Sequence, residues 1–358
     1  MSTKPLRYAG LIALTTVLAA CDDGGGGGGS SDPDFTRDVP QEDTEVKEEN
    51  AEEVTDSSLR SADTIIGQGA SGGGYGTPTI RSASEIPGDD SLVGSVHRFV
   101  EAARDGSSGV STRATQSDTV NCDSGSWTYS YTYPDNGDTT TQGAEWSMDF
   151  DNCVLSDTRY DGGFTMTFED GYDTDTNTGD WEGAWKLDYD DYRSENASSG
   201  DLIWRAHGDM KLTFGSQTDD SEFTSTQQSF YYLISGDSFY VAYDDEVAHN
   251  RNYRLEYRIG ASGNYLFAYD TQASTTGTGG WITVETTEKF EWSSGGSYPF
   301  NGELYVAGGQ TDDPTQPSYV RLTAVNQGGS KPQYYVDSGS GEVGPETFEN
   351  WGDLISEL

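Results

Sequence analysis

Positive charge, histidine and cysteine are all scarce in this chain of 358 residues: 20 Lys and Arg face 61 Asp and Glu, with three histidines and three cysteines. The net charge of −41 repels nucleic acid and anionic headgroups, which excludes a polyanion partner. The same field favours solubility and tolerance of high salt, and a saline habitat accounts for it without any function. No segment after Ala20 approaches the length of an apolar membrane span, so membrane attachment would have to come from lipid. His97, His207 and His249 fall in stretches that read as helix, strand and turn. Nothing groups them with a serine or cysteine in a recognisable order, so they read as surface or satisfied imidazoles.

What is present begins at the N-terminus. Lys4 and Arg7 precede an apolar run from Leu11 to Leu18, broken only by Thr15 and Thr16, and then come Ala19-Ala20-Cys21. A basic start, an apolar stretch and small residues before a cleavage point form a secretory signal. The order resembles the lipobox of bacterial lipoproteins. That resemblance implies removal of residues 1–20, lipid on Cys21 as the new first residue, and a place in the cell envelope facing the periplasm. Several acyl chains on one cysteine anchor stably where a single chain does not. Asp22 and Asp23 resemble the inner-membrane retention signal of enteric bacteria, and inner versus outer membrane stays open. Export puts Cys122 and Cys153 in an oxidising compartment, where they most simply form one disulfide. Closing that loop is worth about 3–4 kcal/mol in the chain-entropy treatment. A reactive pair or half a metal site would need a CxxC spacing or nearby histidines, which the sequence lacks.

Residues 21–80 read as a tether. A glycine run covers Gly24 to Gly29, acidic residues dominate from Asp32 to Asp56 against Arg37 and Lys47 alone, and a second glycine-rich tract starts at Gly67. Low hydrophobicity with high charge cannot bury enough surface to offset chain entropy. A β-rich domain is expected over 81–358. It opens with a helix at about 90–105, where Leu92, Val96, Phe99, Val100 and Ala103 recur at helical spacing after Asp89-Asp90-Ser91 and stop at Gly106. From about 120 onward apolar residues alternate, as in Trp127, Tyr129, Tyr131 and in Trp146, Met148, Phe150. Turn signals separate the runs at Pro134–Asp138, Ser235-Gly236-Asp237, Gly260–Gly263 and Gly277–Gly280. Gly162, Gly183, Gly208 and Gly302 each precede an alternating apolar set and read as strand starts. The expectation is an all-β fold, a large antiparallel meander of about a dozen strands, as an open sheet or partly closed barrel, with one N-terminal packed helix.

Cys122-Asp123-Ser124-Gly125, Phe150-Asp151-Asn152-Cys153 and a strand opening at Gly162, with Val336-Asp337 and Trp351 near the end, resemble a pattern in uncharacterised proteobacterial envelope lipoproteins. There, a C-D-S-G-G turn and an F-x-N-C strand end frame a β-hairpin, and a tryptophan lies near the C-terminus. This chain has Ser126 where the pattern prefers glycine. The resemblance implies fold and location, and no activity.

Candidate chemistry is sparse. Asp173-x-Asp175-x-Asn177 matches the first three ligand positions of a calcium loop, but Thr178 and Ala184 stand where an EF-hand needs glycine and glutamate. A solvated acidic hairpin tip is the competing reading. Gly69-x-Ser71-x-Gly73 fits a nucleophile-elbow expression yet lies in the tether, and Gly236-Asp237-Ser238 lies on an expected turn. Carboxylate pairs such as Asp190-Asp191 are too many to nominate a glycosidase pair. The 22 tyrosines and eight tryptophans suit either a half-buried sheet or stacking platforms for sugars. The chain therefore reads as a lipid-anchored envelope protein with a non-catalytic structural or interaction role and no cofactor beyond the weak calcium loop. Its partner is the membrane through Cys21, together with an envelope protein, lipid or glycan. A lipid- or glycan-binding module on a curved sheet is the first rival, and an envelope hydrolase the second.

Overall fold

The computed structural model describes residues 39–66, 115–132, 142–174, 180–218, 222–223, 229–243, 246–260, 263–293, 299–309, 318–326, 330–347 and 351. Their order is α1 (Ala51–Ile66), β1 (Thr115–Asn121), β2 (Ser124–Thr132), β3 (Glu145–Leu155), β4 (Thr158–Thr174), β5 (Trp181–Asn196), β6 (Leu202–Gln217) and β7 (Ser229–Tyr243). Then follow β8 (Glu246–Ile259), β9 (Tyr265–Thr275), β10 (Gly280–Trp292), β11 (Asn301–Gly308), β12 (Tyr319–Asn326), β13 (Ser330–Asp337) and β14 (Val343–Thr347). The described strands form one 14-stranded sheet in strict sequence order, the expected antiparallel meander. No described pairing joins β1 to β14, so the sheet is open among the described residues.

One face of the sheet is the core. Trp127, Tyr129 and Tyr131 on β2, Trp146, Met148 and Phe150 on β3, and Phe164, Met166 and Phe168 on β4 are all buried, as their period of two requires. The other face of β5 and β6 carries Lys186, Asp188, Arg193, Arg205 and Lys211. These cations pair with carboxylates, including Arg193 with Asp161, Arg205 with Asp191 and Lys211 with Glu169. A face of that kind is unlike the apolar outward band of a membrane-spanning barrel.

Register shifts interrupt each pairing from β2–β3 to β6–β7, and again at β8–β9, β9–β10, β10–β11 and β13–β14. In β3 to β7 they line up across the sheet. Phe150 pairs with Gly162, Gly163 with Asp190, Tyr189 with Gly208, and Gly208 with Phe239. Gly162 and Gly208 have φ of +74° and +110°, and a Cβ on either would overlap a carbonyl oxygen of the next strand, from Asp191 and Ser238 respectively. These glycines are therefore bulge residues inside strands, not strand starts. Asn152 and Asp191 take left-handed φ of 48° and 51°, a conformation those residue types tolerate best. A bulge leaves an N–H outside the ladder, and aspartate side chains supply the acceptor. Asp209 accepts from Asp237 and Ser238 N–H at 3.2 and 3.1 Å, and Asp161 from Asn152 N–H at 3.3 Å. The same seam corrects another reading: Ser235-Gly236-Asp237 is no hairpin turn but lies within β7.

The acidic segment before the sheet is the larger correction. Residues 39–66 are not tether. Asp43 bridges Trp281, Thr44 N–H donates to the Trp281 carbonyl at 3.0 Å, and the Ser274 hydroxyl donates to the Pro40 carbonyl at 2.6 Å. After Asn50, α1 packs on β7, β8, β9, β11 and β12. Its buried side is Ala51, Val54, Thr55, Ser58, Ser61 and Ala62, with Ser57 beside them, a helical period written mostly in small residues. Thr55 and Ser58 donate to their own helix carbonyls at 2.7 Å, so their hydroxyls enter the core satisfied. Glu52 and Glu53 in the first turn complement the helix dipole. The helix expected at about 90–105, the leader, Cys21 and residues 67–80 lie outside the described residues.

Candidate functional site

The two remaining cysteines meet. Cys122, between β1 and β2, is bonded to Cys153 of β3 with Cα atoms 5.4 Å apart, which ties the first three strands together. Asp173 lies next to the last residue of β4, opposite Glu182, while Asp175, Asn177, Ser71 and His97 lie outside the described residues. Among the described residues no group of three or more His, Cys, Asp or Glu is placed to hold a metal ion.

His249 is the histidine with the most structured surroundings, and it sits in β8 rather than a turn. Its ring is 1% exposed, stacks on Tyr240 at 3.6 Å and meets Trp281 edge-on at 5.0 Å. Nε2 lies 3.0 Å from the Ser238 hydroxyl and 3.4 Å from Arg251 Nε. The pair brings a serine of the expected turn to a histidine, a convergence that chain order does not reveal. It is a poor proton acceptor nonetheless. Burial, and then the Arg251 charge, push the imidazole pKa down to about 3. Among the described residues the buried Nδ1 has no hydrogen-bond partner, where a nucleophilic triad would need a carboxylate to hold the imidazolium. His207 lies opposite Tyr240 on β6, with ring centroids 6.4 Å apart. Asp191, one of the paired carboxylates, is taken up by Arg205.

A second group lies on the outer face of β11–β13, and reading the sequence for inward residues alone overlooks it. Leu304, Val306, Val320, Leu322 and Val336 are buried at 4% exposure or less, so the residues between them face away from the core. Tyr305 pairs in register with Arg321, and Arg321 with Tyr335; Ala307, Tyr319 and Asp337 form the next row. Tyr305 and Tyr319 rings are 5.3 Å apart, and the Arg321 guanidinium stands 3.9 Å over the Tyr335 ring. Arg321 donates to Glu342 at 3.0 and 2.5 Å and to Glu303 at 3.1 Å. Tyr319 donates its phenol to Glu342 at 3.1 Å. The bond to Arg321 holds Glu342 below the usual carboxylate range. Burial and the Glu342 bond push the Tyr319 phenol up to about 12. Tyr305 and Tyr335 phenols hydrogen-bond no described residue. A signal was available, because the apolar beat of Leu304 and Val306 puts Tyr305 off the beat.

No known protein family, no curated protein and no solved structure matches the chain.

Proposed function

We propose that this is a lipid-anchored protein of the bacterial cell envelope whose β domain has a non-catalytic interaction role. The anchor rests on Leu18-Ala19-Ala20-Cys21, and the Cys122–Cys153 disulfide is in keeping with an oxidising compartment. The observation that carries the interaction role is the half-exposed tyrosine group on β11–β13, rings that no core position requires. The low basicity of His249 tells against the hydrolase rival, since a general base works best with a pKa near the working pH. The resemblance to envelope lipoproteins through Cys122–Gly125 and Phe150–Cys153 points to the same location.

The anchor is tested by labelling cells with a palmitate analogue. The natural chain should be labelled and sediment with membranes, and Cys21→Ser should do neither. Equal labelling of both would sink the proposal.

A further inference from the structure

We infer that the outer face of β11–β13 is a binding site for a neutral oligosaccharide, with Tyr305 and Tyr319 as the stacking surface. This rests on reading the domain as an interaction module, and goes further by naming the ligand class and the residues.

Three observations carry it. The first is sidedness. On β2–β4 the rings are buried in the core, where packing accounts for them. On β11–β13 the core positions are mostly aliphatic, with Tyr334 the one buried ring among them, and Tyr305, Tyr319 and Tyr335 stand half-buried on the opposite face. These rings are half-buried among their row neighbours and stand off the core face, so core packing is not the reason for them.

The second is geometry. The β11–β12 and β12–β13 ladders run without a register shift, so their outer residues stand in even rows about 4.8 Å apart, comparable to one sugar ring. Arg321, clamped by Glu303 and Glu342 and laid over Tyr335, gives the patch a fixed frame. A preorganised frame loses less entropy when a ligand binds.

The third is charge. Glu303 and Glu342 are already bound by Arg321, and Glu285 and Asp337 also lie on this face. An anion is therefore repelled, and the two clamped carboxylates are not free for a cation. What the patch does offer is ring faces and the phenols of Tyr305 and Tyr335. Those groups suit the apolar faces and hydroxyls of an uncharged sugar.

The test uses the full lipidated chain in neutral detergent micelles, titrated calorimetrically with chitohexaose, cellohexaose, hexagalacturonate and hexalysine. At least one neutral hexasaccharide should bind, with a dissociation constant of about 1 mM or tighter, and hexagalacturonate should not. Tyr305→Ala and Tyr319→Ala should each weaken binding about tenfold, with Tyr305→Phe in between, while the thermal midpoints stay close to that of the natural chain. Absence of binding by both neutral sugars overturns the inference. So does binding that survives both alanine substitutions, or preferential capture of hexalysine. These outcomes are separable from the anchor: Tyr305→Ala should still take up the palmitate label, and Cys21→Ser should still bind the sugar.

Discussion

Strands β2–β8 and strands β11–β13 belong to one sheet and bend it differently. In the first group the core face is aromatic, and a seam of bulges crosses the strands at Asn152, Gly162, Asp191 and Gly208. In the second the core face is mainly aliphatic, with Tyr334 its one buried ring, the β11–β12–β13 register is unbroken, and Tyr305, Tyr319 and Tyr335 point outward. Helix α1 lies on β11 and β12 as well as β7–β9 with a buried side of alanine, serine and threonine. Where rings such as Phe150 and Tyr192 pack on each other at 5.3 Å across the intervening strand β4, the sheet has to curve. Bulges increase twist and bend a strand locally, and glycine and aspartate are the residues that permit and satisfy them.

The contrast breaks most visibly at Gly162. Replacement by alanine combines a left-handed φ of +74° with a Cβ on the Asp191 carbonyl. The cost should be about 3 kcal/mol or more, read as a lower urea midpoint. A midpoint within error of the natural chain would show that the seam can straighten.

His249 sharpens the contrast through pH. The unfolded chain binds a proton at this ring below about 6.5, whereas the folded ring stays neutral until pH falls to about 3. Between those values the unfolded state holds more protons, so acidification destabilises the fold by up to about 1.4 kcal/mol per pH unit from this group. Subtracting the stability curve of His249→Gln from that of the natural chain should expose this slope. A flat difference would mean that the imidazole is accessible to protons.

Asp209→Ala should cost about 2 kcal/mol, because two bulge N–H groups of β7 lose their acceptor. Hydrogen exchange should quicken at Asp237 and Ser238, with little change in β11–β13. Tyr335→Ala should have the smallest effect, under about 1 kcal/mol, since it removes a half-exposed ring and one cation–π contact. A loss as large as that of Gly162→Ala would assign the outer tyrosines to folding and weaken the case for a sugar site.

Much of the fold was legible residue by residue. The beat of Trp127, Tyr129 and Tyr131 marks a strand and its buried face. Gly260–Gly263 and Gly277–Gly280 mark the turns either side of β9. Cys122 and Cys153 pair as expected. The misreadings share a cause. Ser235-Gly236-Asp237 has turn chemistry, and a bulge uses the same residues for the same conformational reason. Residues 39–66 have the composition of a tether, because Glu52 and Glu53 of α1 are exposed and most of its buried side is alanine, serine and threonine.

The sequence by itself determined the antiparallel meander, the core face of its clearest strands, the pairing of the two cysteines and the acidic character of the surface. All of these depend on local alternation, on charge count or, for the cysteines, on setting Cys21 aside as the expected lipid site. Only the tertiary structure decided that α1 comes from the acidic segment, that Ser238 meets His249, and that Tyr305, Arg321 and Tyr335 stand in one row. Each of those depends on register between distant segments, such as Ser61 of α1 and the Tyr269 phenol both reaching Asn250 Oδ1, at 2.7 and 2.9 Å. Register is set by packing across the whole sheet, where one extra residue in a bulge moves every partner beyond it.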